Sequence, residues 1–178
     1  QDLTGGPNTA LNLTYRLAAR GVPVRYIATD QELDSDESFL HAHLRAVSGI
    51  EDAVDDVQFI SGRNRGCALV LGADDVLCGT AWWTAQMTKH IQPRLRSQRF
   101  LYLIQDFEPA MYAWSTKQAL ALETYGLDFH GIICGRLLAD FLASERVGRF
   151  SEPGFLASCA TFEPAVDPHR FAPRFDRL

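Results

Sequence analysis

The feature of this sequence that most limits its fold is the way its hydrophobic residues change period along the chain. Short continuous apolar runs, which are typical of buried strands, alternate with stretches in which apolar residues recur every three or four positions, as in helices. This alternation favours an α/β domain built on a parallel sheet with helices on both faces. Because 178 residues is the size of one ordinary domain, we expect a single domain over residues 1–178.

The same periods place the elements in order. Helices are predicted at 7–20, 34–49, 82–91, 115–126 and 136–147, the last with Leu137, Leu138, Phe141 and Leu142 on one stripe. Strands are predicted at 22–28, at three short runs within 57–80, and at 100–107, 129–135 and 154–160. The run 100–107 ends in polar residues, as expected of a buried parallel strand that delivers functional groups at its carboxyl end.

The charge and the apolar runs exclude several classes of protein. The chain has 17 Lys and Arg against 22 Asp and Glu, a net charge of −5, which argues against a nucleic-acid binder. Its apolar runs are too short to span a membrane, and no signal-peptide pattern opens the sequence, so we expect neither a membrane span nor a leader here. The histidines and the four cysteines form no metal pattern, and the cysteines lie in or beside apolar runs. We therefore expect no metal, and buried reduced thiols in the cytoplasm.

A glycine loop, Thr4-Gly5-Gly6-Pro7-Asn8, leads into the first predicted helix. Glycine lets backbone approach a phosphate closely, and the N–H groups at a helix start favour negative charge. A plain tight turn explains the same residues equally well. The loop matches neither the dinucleotide-binding pattern nor the P-loop, so a nicotinamide or ATP site is not supported. Such a loop normally follows a first strand, so we expect that this strand is missing and that a central position of the sheet is unfilled.

Two acidic motifs are candidates for chemistry. Asp106 and Glu108 follow the strand 100–107 together with Gln105, where a carboxylate could act as a general base or bind sugar hydroxyls. The alternative is that one carboxylate caps the next turn and the other is solvated. The Asp34-Ser35-Asp36 motif resembles a metal-binding D-x-D motif, but it begins a predicted helix and is better explained as a cap.

Aromatic residues form a further candidate. Trp82 and Trp83 follow a short strand together with Thr80, where an indole could stack on a sugar ring, although adjacent tryptophans are more often part of a core. Tyr112, Trp114 and Lys117 could line the same cleft.

Four segments together resemble the amino-terminal half of a two-domain GT-B-type glycosyltransferase, and are most similar to bacterial rhamnosyltransferases that extend surface glycans. They are GGPNTALNLTYRLAARG, DVLCGTAWWTA, the long and most specific segment YLIQDFEPAMYAWSTKQALALETYGLDFHGIICGRLLADFL, and AVDPHRFAP. The resemblance implies a Rossmann-like domain that faces a second, donor-binding domain across a cleft. That second domain is absent from this sequence, so the isolated domain is expected to be inactive.

The resemblance also implies roles for particular residues. Gly5, Gly6 and Asn8 would approach the donor phosphates, whereas Thr80, Trp82, Gln105, Gly135 and Arg136 would line the acceptor side of the cleft. For an enzyme that inverts the anomeric centre, Asp106 is the first candidate for the general base and Glu108 the second. Many members of the wider superfamily carry a histidine after the central strand, where Gln105 and Asp106 stand here, so a histidine-based mechanism is not expected.

The resemblance finally implies the ligands. The donor would be a nucleotide sugar, with dTDP-rhamnose as the first expectation, and no cofactor would be needed because helix N–H groups assist the leaving diphosphate. The acceptor would be a glycan or a lipid-linked glycan, reached in the cytoplasm with a peripheral contact at the inner face of the membrane. A non-catalytic glycan-binding module with the same fold is the alternative.

Overall fold

A computed structural model describes residues 5–30, 57–63, 66 and 68–164. These residues form helices α1 (Gly5–Ala18), α2 (Trp82–Ile91), α3 (Thr116–Glu123) and α4 (Arg136–Ser144). The strands are β1 (Val24–Ala28), β2 (Val57–Ser61), β3 (Cys78–Gly79), β4 (Phe100–Ile104), β5 (Phe129–Cys134) and β6 (Ala160–Phe162). The predicted helix 34–49 and the Asp34-Ser35-Asp36 motif lie outside the described residues.

All pairs of neighbouring strands are parallel. β1 pairs with β2 in one sheet, and β3, β4, β5 and β6 follow one another in a second sheet. Helices flank these sheets, which confirms the predicted α/β fold. Because the strands of the second sheet run the same way, their carboxyl ends lie along one edge.

The core lies where aromatic residues of β4 and β5 meet the helices. Phe100, Tyr102 and Phe129 are almost completely buried, and the rings of Tyr102 and Phe129 pack perpendicularly at 5.3 Å. Ala139 and Leu142 of α4 belong to the same buried cluster. Deleting one such aromatic side chain costs about 3–5 kcal/mol in a typical core, so this cluster contributes strongly to holding β4, β5 and α4 together.

The predicted strand 154–160 is wrong. Leu156–Ser158 form a turn of 3-10 helix, and the last strand begins only at Ala160. The chain turns at Gly154, which has a φ of +81°, and the ring of Phe155 then packs perpendicularly on Phe129 at 5.4 Å. The apolar run therefore reflects anchoring of a turn in the core, and periodicity does not distinguish this from a short buried strand.

Three other predictions need correction. Ala68–Val70 form no strand, and Val70 is 78% exposed, so only β2 and the two-residue β3 remain of the three runs within 57–80. Leu137 is 87% exposed and does not share the buried side of Leu142. The three described cysteines are free thiols, as expected, but none is fully buried: Cys78 is exposed, and Cys134 and Cys159 are half-buried, with Cys159 packed against the core.

Candidate functional site

The predicted site residues lie at the carboxyl edge of the second sheet. Thr80, Gln105 and Gly135 directly follow β3, β4 and β5. The first turns of α2 and α4 begin just beyond Thr80 and Gly135, so N–H groups without a partner inside their own helix lie at the same edge. In open α/β sheets this edge is where ligands bind.

Glu108 joins two of these strand ends. It begins a 3-10 turn, Glu108–Met111, and its Oε2 accepts a hydrogen bond from the backbone N–H of Trp82 at 2.7 Å. Trp82 is the first residue of α2, so the carboxylate lies at the positive end of that helix. Burial raises the pKa of Glu108, the Trp82 N–H opposes that rise, and the negative charge of Asp106 adds to it. Glu108 therefore caps the start of α2. The sequence alone left open which of the two carboxylates would act as a cap.

Asp106 is exposed to solvent. Its Oδ1 accepts a hydrogen bond from the N–H of Phe107 at 2.9 Å, and its backbone carbonyl accepts one from the hydroxyl of Tyr125 at 3.2 Å. Tyr125 is itself fully buried, so Asp106 stands on a rigid support while its carboxylate faces the solvent. The carboxylate of Asp106 is thus more accessible to solvent than that of Glu108.

Glu163 was missed by the sequence analysis. Its Oε1 accepts a hydrogen bond from the N–H of Arg136 at 3.0 Å, at the start of α4. Burial raises the pKa of the Cys134 thiol, and the charges of Glu163 and Asp106 raise it further. The Cys134 thiol therefore lies close enough to both carboxylates for their negative charges to raise its pKa. Its position directly after β6 could have indicated a role at the carboxyl edge. Because the strand was predicted at 154–160, Glu163 was not placed at a strand end.

Gly135 and Arg136 were predicted to line the cleft. Gly135 has a φ of +96°, which favours glycine, and its N–H donates to the carbonyl of Phe162 at 2.7 Å. The guanidinium of Arg136 pairs with Asp140 of the same helix at 2.9 Å. The structure thus places both residues at the edge, with the Arg136 charge directed along α4.

Thr80 and Trp82 lie half-buried at the end of β3. The Nε1 of Trp82 donates to the hydroxyl of Tyr112 at 2.9 Å, and the two rings are nearly perpendicular at 6.1 Å. The N–H groups of Thr80 and Ala81 both donate to the hydroxyl of Thr84 at 2.9 Å. Thr84, which the sequence analysis did not single out, therefore fixes the turn that presents Trp82.

The other aromatic candidate, Trp114, is 94% exposed, and Lys117 is exposed on α3. An exposed indole is available for stacking on a sugar ring or for covering by another surface.

The glycine loop meets the same edge. α1 begins at Gly5, two residues earlier than predicted, so Gly5 and Gly6 contribute N–H groups that have no partner within the helix. A Cβ atom added at Gly6 would lie 3.6 Å from Nε2 of Gln105. Asn8 lies inside α1, and its side-chain oxygen accepts from Asn12 Nδ2 at 3.3 Å. Gly6 is thus close to the end of β4, whereas the Asn8 side chain is engaged along its own helix.

These groups place carboxylate oxygens and helix N–H groups at one edge of the second sheet. Carboxylates accept hydrogen bonds from hydroxyl groups, and the N–H groups at the start of α1 can donate to an anionic group, whereas the first N–H groups of α2 and α4 already donate to Glu108 and Glu163. Within the described ranges, no cluster of three or more His, Cys, Asp or Glu residues could hold a metal ion. Over the same ranges no helix is both long and apolar enough to cross a membrane.

Comparison with known proteins gives two matches. The family described as WsaF, N-terminal domain, matches residues 1–134. An O-antigen biosynthesis protein, RfbC of Myxococcus xanthus, is 39% identical over 105 residues. That alignment covers 59% of this chain and 7% of the Myxococcus protein, so the chain corresponds to a small part of that relative.

Proposed function

This chain belongs to the WsaF N-terminal domain family, and on that premise we propose that it is a glycosyltransferase domain of bacterial surface-polysaccharide synthesis. The observation that carries the proposal is the pair of carboxylates, Asp106 and Glu108, at the carboxyl end of β4 beside the starts of α1 and α2. The name of the Myxococcus relative, an O-antigen biosynthesis protein, supports the same process.

The proposed reaction moves a sugar from a nucleoside diphosphate to a hydroxyl group. The acceptor oxygen forms a bond to the anomeric carbon as the bond from that carbon to the diphosphate oxygen breaks. The bonding electrons leave with the diphosphate, whose growing negative charge would be stabilised by the N–H groups of Gly5 and Gly6. The hydroxyl proton must pass to a base.

Asp106 is our candidate for that base. It is exposed and lies on a rigid support, whereas one oxygen of Glu108 is already occupied by the Trp82 N–H. We propose that Glu108 positions α2 and Trp82 and remains the second candidate for the base. Removing a well-placed general base typically lowers the rate by about 10²–10⁴-fold.

We further propose that the domain forms the acceptor half of a GT-B enzyme. A donor-binding domain would face the edge that carries Gly6, Gln105 and Gly135, and no cofactor would take part. The donor we propose is dTDP-rhamnose, and the acceptor a glycan or lipid-linked glycan reached in the cytoplasm at the inner face of the membrane. These assignments rest on the resemblance of four sequence segments to bacterial rhamnosyltransferases.

A non-catalytic glycan-binding module is the second candidate. The half-buried Trp82 and Tyr112 pair and the exposed Trp114 favour it, because aromatic rings stack on sugars without any reaction. The two functions differ in whether the sugar is transferred.

The test is a transfer assay with the complete polypeptide that contains this domain. Radiolabelled dTDP-rhamnose and other nucleotide sugars would be offered with a surface-glycan acceptor, and the glycan product would be analysed by mass. We expect one added sugar per turnover and release of the nucleoside diphosphate. Glycan binding in calorimetry without transfer from any donor would contradict the enzyme and favour the binding module.

A further inference from the structure

A cavity of about 200 Å³ lies at the end of the second sheet opposite to the candidate site. It is lined by residues at the end of α2 and in the segments that lead into β4 and β5, among them Lys89, Gln92, Gln98, Leu127 and Asp128. Because β4 begins at Phe100 and β5 at Phe129, the cavity borders the amino edge of the sheet. The five residues of β4 span about 16 Å, and Asp106 lies beyond their other end. The cavity is therefore separate from the candidate site.

Gln92 is the buried polar residue of this cavity, with only 8% of its surface exposed. Its Nε2 donates to the carbonyl of Ser97, which fixes the orientation of the amide. Its Oε1 is also buried, and no group among the residues that the structure describes donates a hydrogen bond to it. Buried polar atoms in folded proteins nearly always have a partner. The amide oxygen of Gln92 therefore needs a donor, and the cavity that Gln92 lines has room for one.

The charges around the cavity are balanced. The Nζ of Lys89 pairs with the carboxylate of Glu123 at 2.6 Å. The carboxylate of Asp128 pairs with the guanidinium of Arg99 at 2.9 Å and also with that of Arg149. Because both charged lining residues already have partners of opposite sign, a charged ligand would lose its hydration without gaining a free counter-charge. The lining therefore favours a neutral ligand.

The rest of the lining combines apolar surface with one exposed amide. Phe100 belongs to the hydrophobic core, Leu127 packs against that core, and Pro93 adds a third apolar side chain. Gln98 is exposed, and its amide can both donate and accept hydrogen bonds. Drug-sized ligands occupy pockets of roughly 300–1,000 Å³, so this smaller cavity suits a single ring. A sugar ring matches the lining, because its C–H groups form an apolar face and its hydroxyl groups form a polar rim.

We propose that this cavity is a second carbohydrate site, which binds one neutral sugar unit at the amino edge of the sheet. A hydroxyl group of the sugar donates to Oε1 of Gln92, the C–H face of the ring packs on Leu127 and Pro93, and Gln98 bonds to the outward hydroxyl groups. On a polysaccharide, the site binds a unit of the chain that is remote from the candidate site. The proposal goes beyond the proposed function, because binding here needs neither a sugar donor nor a base.

The test is saturation-transfer difference NMR on the complete polypeptide that contains this domain. The neutral probes are the methyl glycosides of glucose, galactose, mannose and rhamnose, and the charged comparison is glucuronate. We expect at least one neutral glycoside to bind with a Kd of about 1 mM, and glucuronate to bind about ten-fold more weakly or not at all. Gln92→Met keeps the length of the side chain and removes the amide, so it should raise the Kd about ten-fold. Asp106→Asn should leave the Kd unchanged, and an equal loss of binding in Asp106→Asn would place the sugar at the candidate site and overturn the proposal.

A second variant, Gln98→Ala, serves where Gln92→Met does not fold, because Gln98 is exposed. The matched control is Gln58→Ala, the same change at an exposed residue of β2. We expect the Kd to rise about five-fold in Gln98→Ala and to stay at the wild-type value in Gln58→Ala. Equal binding in Gln98→Ala and Gln58→Ala, or binding of none of the neutral glycosides, overturns the proposal. A crystal structure grown at high glycoside concentration with only water in the cavity also overturns it, since water then donates to Oε1 of Gln92.

Discussion

At the scale of single residues, Asp106 and Glu108 are two carboxylates with different environments. Asp106 is exposed, whereas Glu108 is half-buried and bonded to the first N–H of α2. Two acidic residues only two positions apart therefore differ in role. The carboxylate of Asp106 is open to the solvent, whereas that of Glu108 caps α2.

Glu108 gives a prediction about pH. Its pKa in the folded state is raised above 4.5, so the folded protein holds this proton more tightly than the unfolded chain. The stabilising contribution is therefore full below pH 4.5 and is lost as the pH rises through the folded-state pKa. Glu108→Gln keeps an oxygen for the Trp82 N–H and removes the charge, so we expect the fall in unfolding free energy over this window to become smaller.

The measurement is denaturant unfolding at a series of pH values from 3 to about 8, a range that spans the unperturbed carboxyl pKa. Glu123 is the matched control, because hydrogen bonds from Lys89 and Gln86 lower its pKa. Its contribution is present above the unfolded pKa and is lost as the pH falls, so Glu123→Gln should change the acid side of the profile. An unchanged profile in Glu108→Gln would contradict the assignment.

Gly6 gives a prediction that separates stability from binding. An alanine Cβ would lie 3.6 Å from Gln105 Nε2, an ordinary contact, so we expect Gly6→Ala to leave stability unchanged or raise it by up to about 1 kcal/mol. The methyl group would still block close approach of a phosphate to the helix start. Donor affinity of the complete enzyme, measured by calorimetry, should fall about ten-fold or more.

Gly126→Ala is the control for that experiment, because no atom lies within 4 Å of its added Cβ and Gly126 lies just before the amino end of β5, whereas the candidate site is at the carboxyl ends of the strands. Equal donor affinity in Gly6→Ala and Gly126→Ala would show that the start of α1 does not approach the donor.

At the scale of elements, the start of α2 depends on Thr84. Its hydroxyl accepts from the N–H groups of Thr80 and Ala81, both at 2.9 Å, and so satisfies donors ahead of the helix. Thr84→Val removes this acceptor, and we expect a loss of about 1–2 kcal/mol of stability, measured by denaturant unfolding.

Thr88→Val is the matched control, because it makes the same substitution in the same helix away from the helix start. The Thr88 hydroxyl donates to the carbonyl of Ala85 at 2.7 Å and accepts from no N–H group at the helix start, so its loss should cost less. A larger cost for Thr88→Val than for Thr84→Val would be inconsistent with a capping role for Thr84.

The connection after α4 gives a prediction about backbone. Gly148 has a φ of +51°, and an added Cβ would lie 2.3 Å from the carbonyl oxygen of Tyr125, which cannot move freely. Gly154 has a φ of +81° with open space around it. We expect Gly154→Ala to cost about 1–3 kcal/mol from backbone strain alone and Gly148→Ala to cost distinctly more, by thermal unfolding. Equal costs would contradict the packing of this turn on Tyr125.

At the scale of the whole molecule, the sequence predicts the order of elements better than their lengths. The helix predicted at 82–91 is confirmed to the residue. The start of the helix predicted at 115–126 is confirmed as well, since Ser115 caps α3 and its hydroxyl accepts from the Gln118 N–H at 3.4 Å. The predicted strand 154–160 failed because burial of Phe155 in a turn produces the same apolar signal as a strand.

The part of the candidate site that directly follows strands could be predicted from the sequence. Residues that directly follow a strong strand, such as Gln105 and Asp106, are placed by the topology of a parallel sheet. Glu163 and Thr84 act through contacts with backbone at helix starts. Such contacts depend on where distant segments meet, and a single sequence does not show this.

The central claim is that Asp106 accepts the proton of the acceptor hydroxyl in a sugar transfer. The most direct measurement is kcat of the complete enzyme that carries Asp106→Asn. The matched control is Asp74→Asn, the same change at an exposed residue that lies before β3 and pairs with Arg96. We predict a fall of about 10²-fold or more in Asp106→Asn with acceptor binding retained, and wild-type turnover in Asp74→Asn. Wild-type turnover in Asp106→Asn would contradict the account.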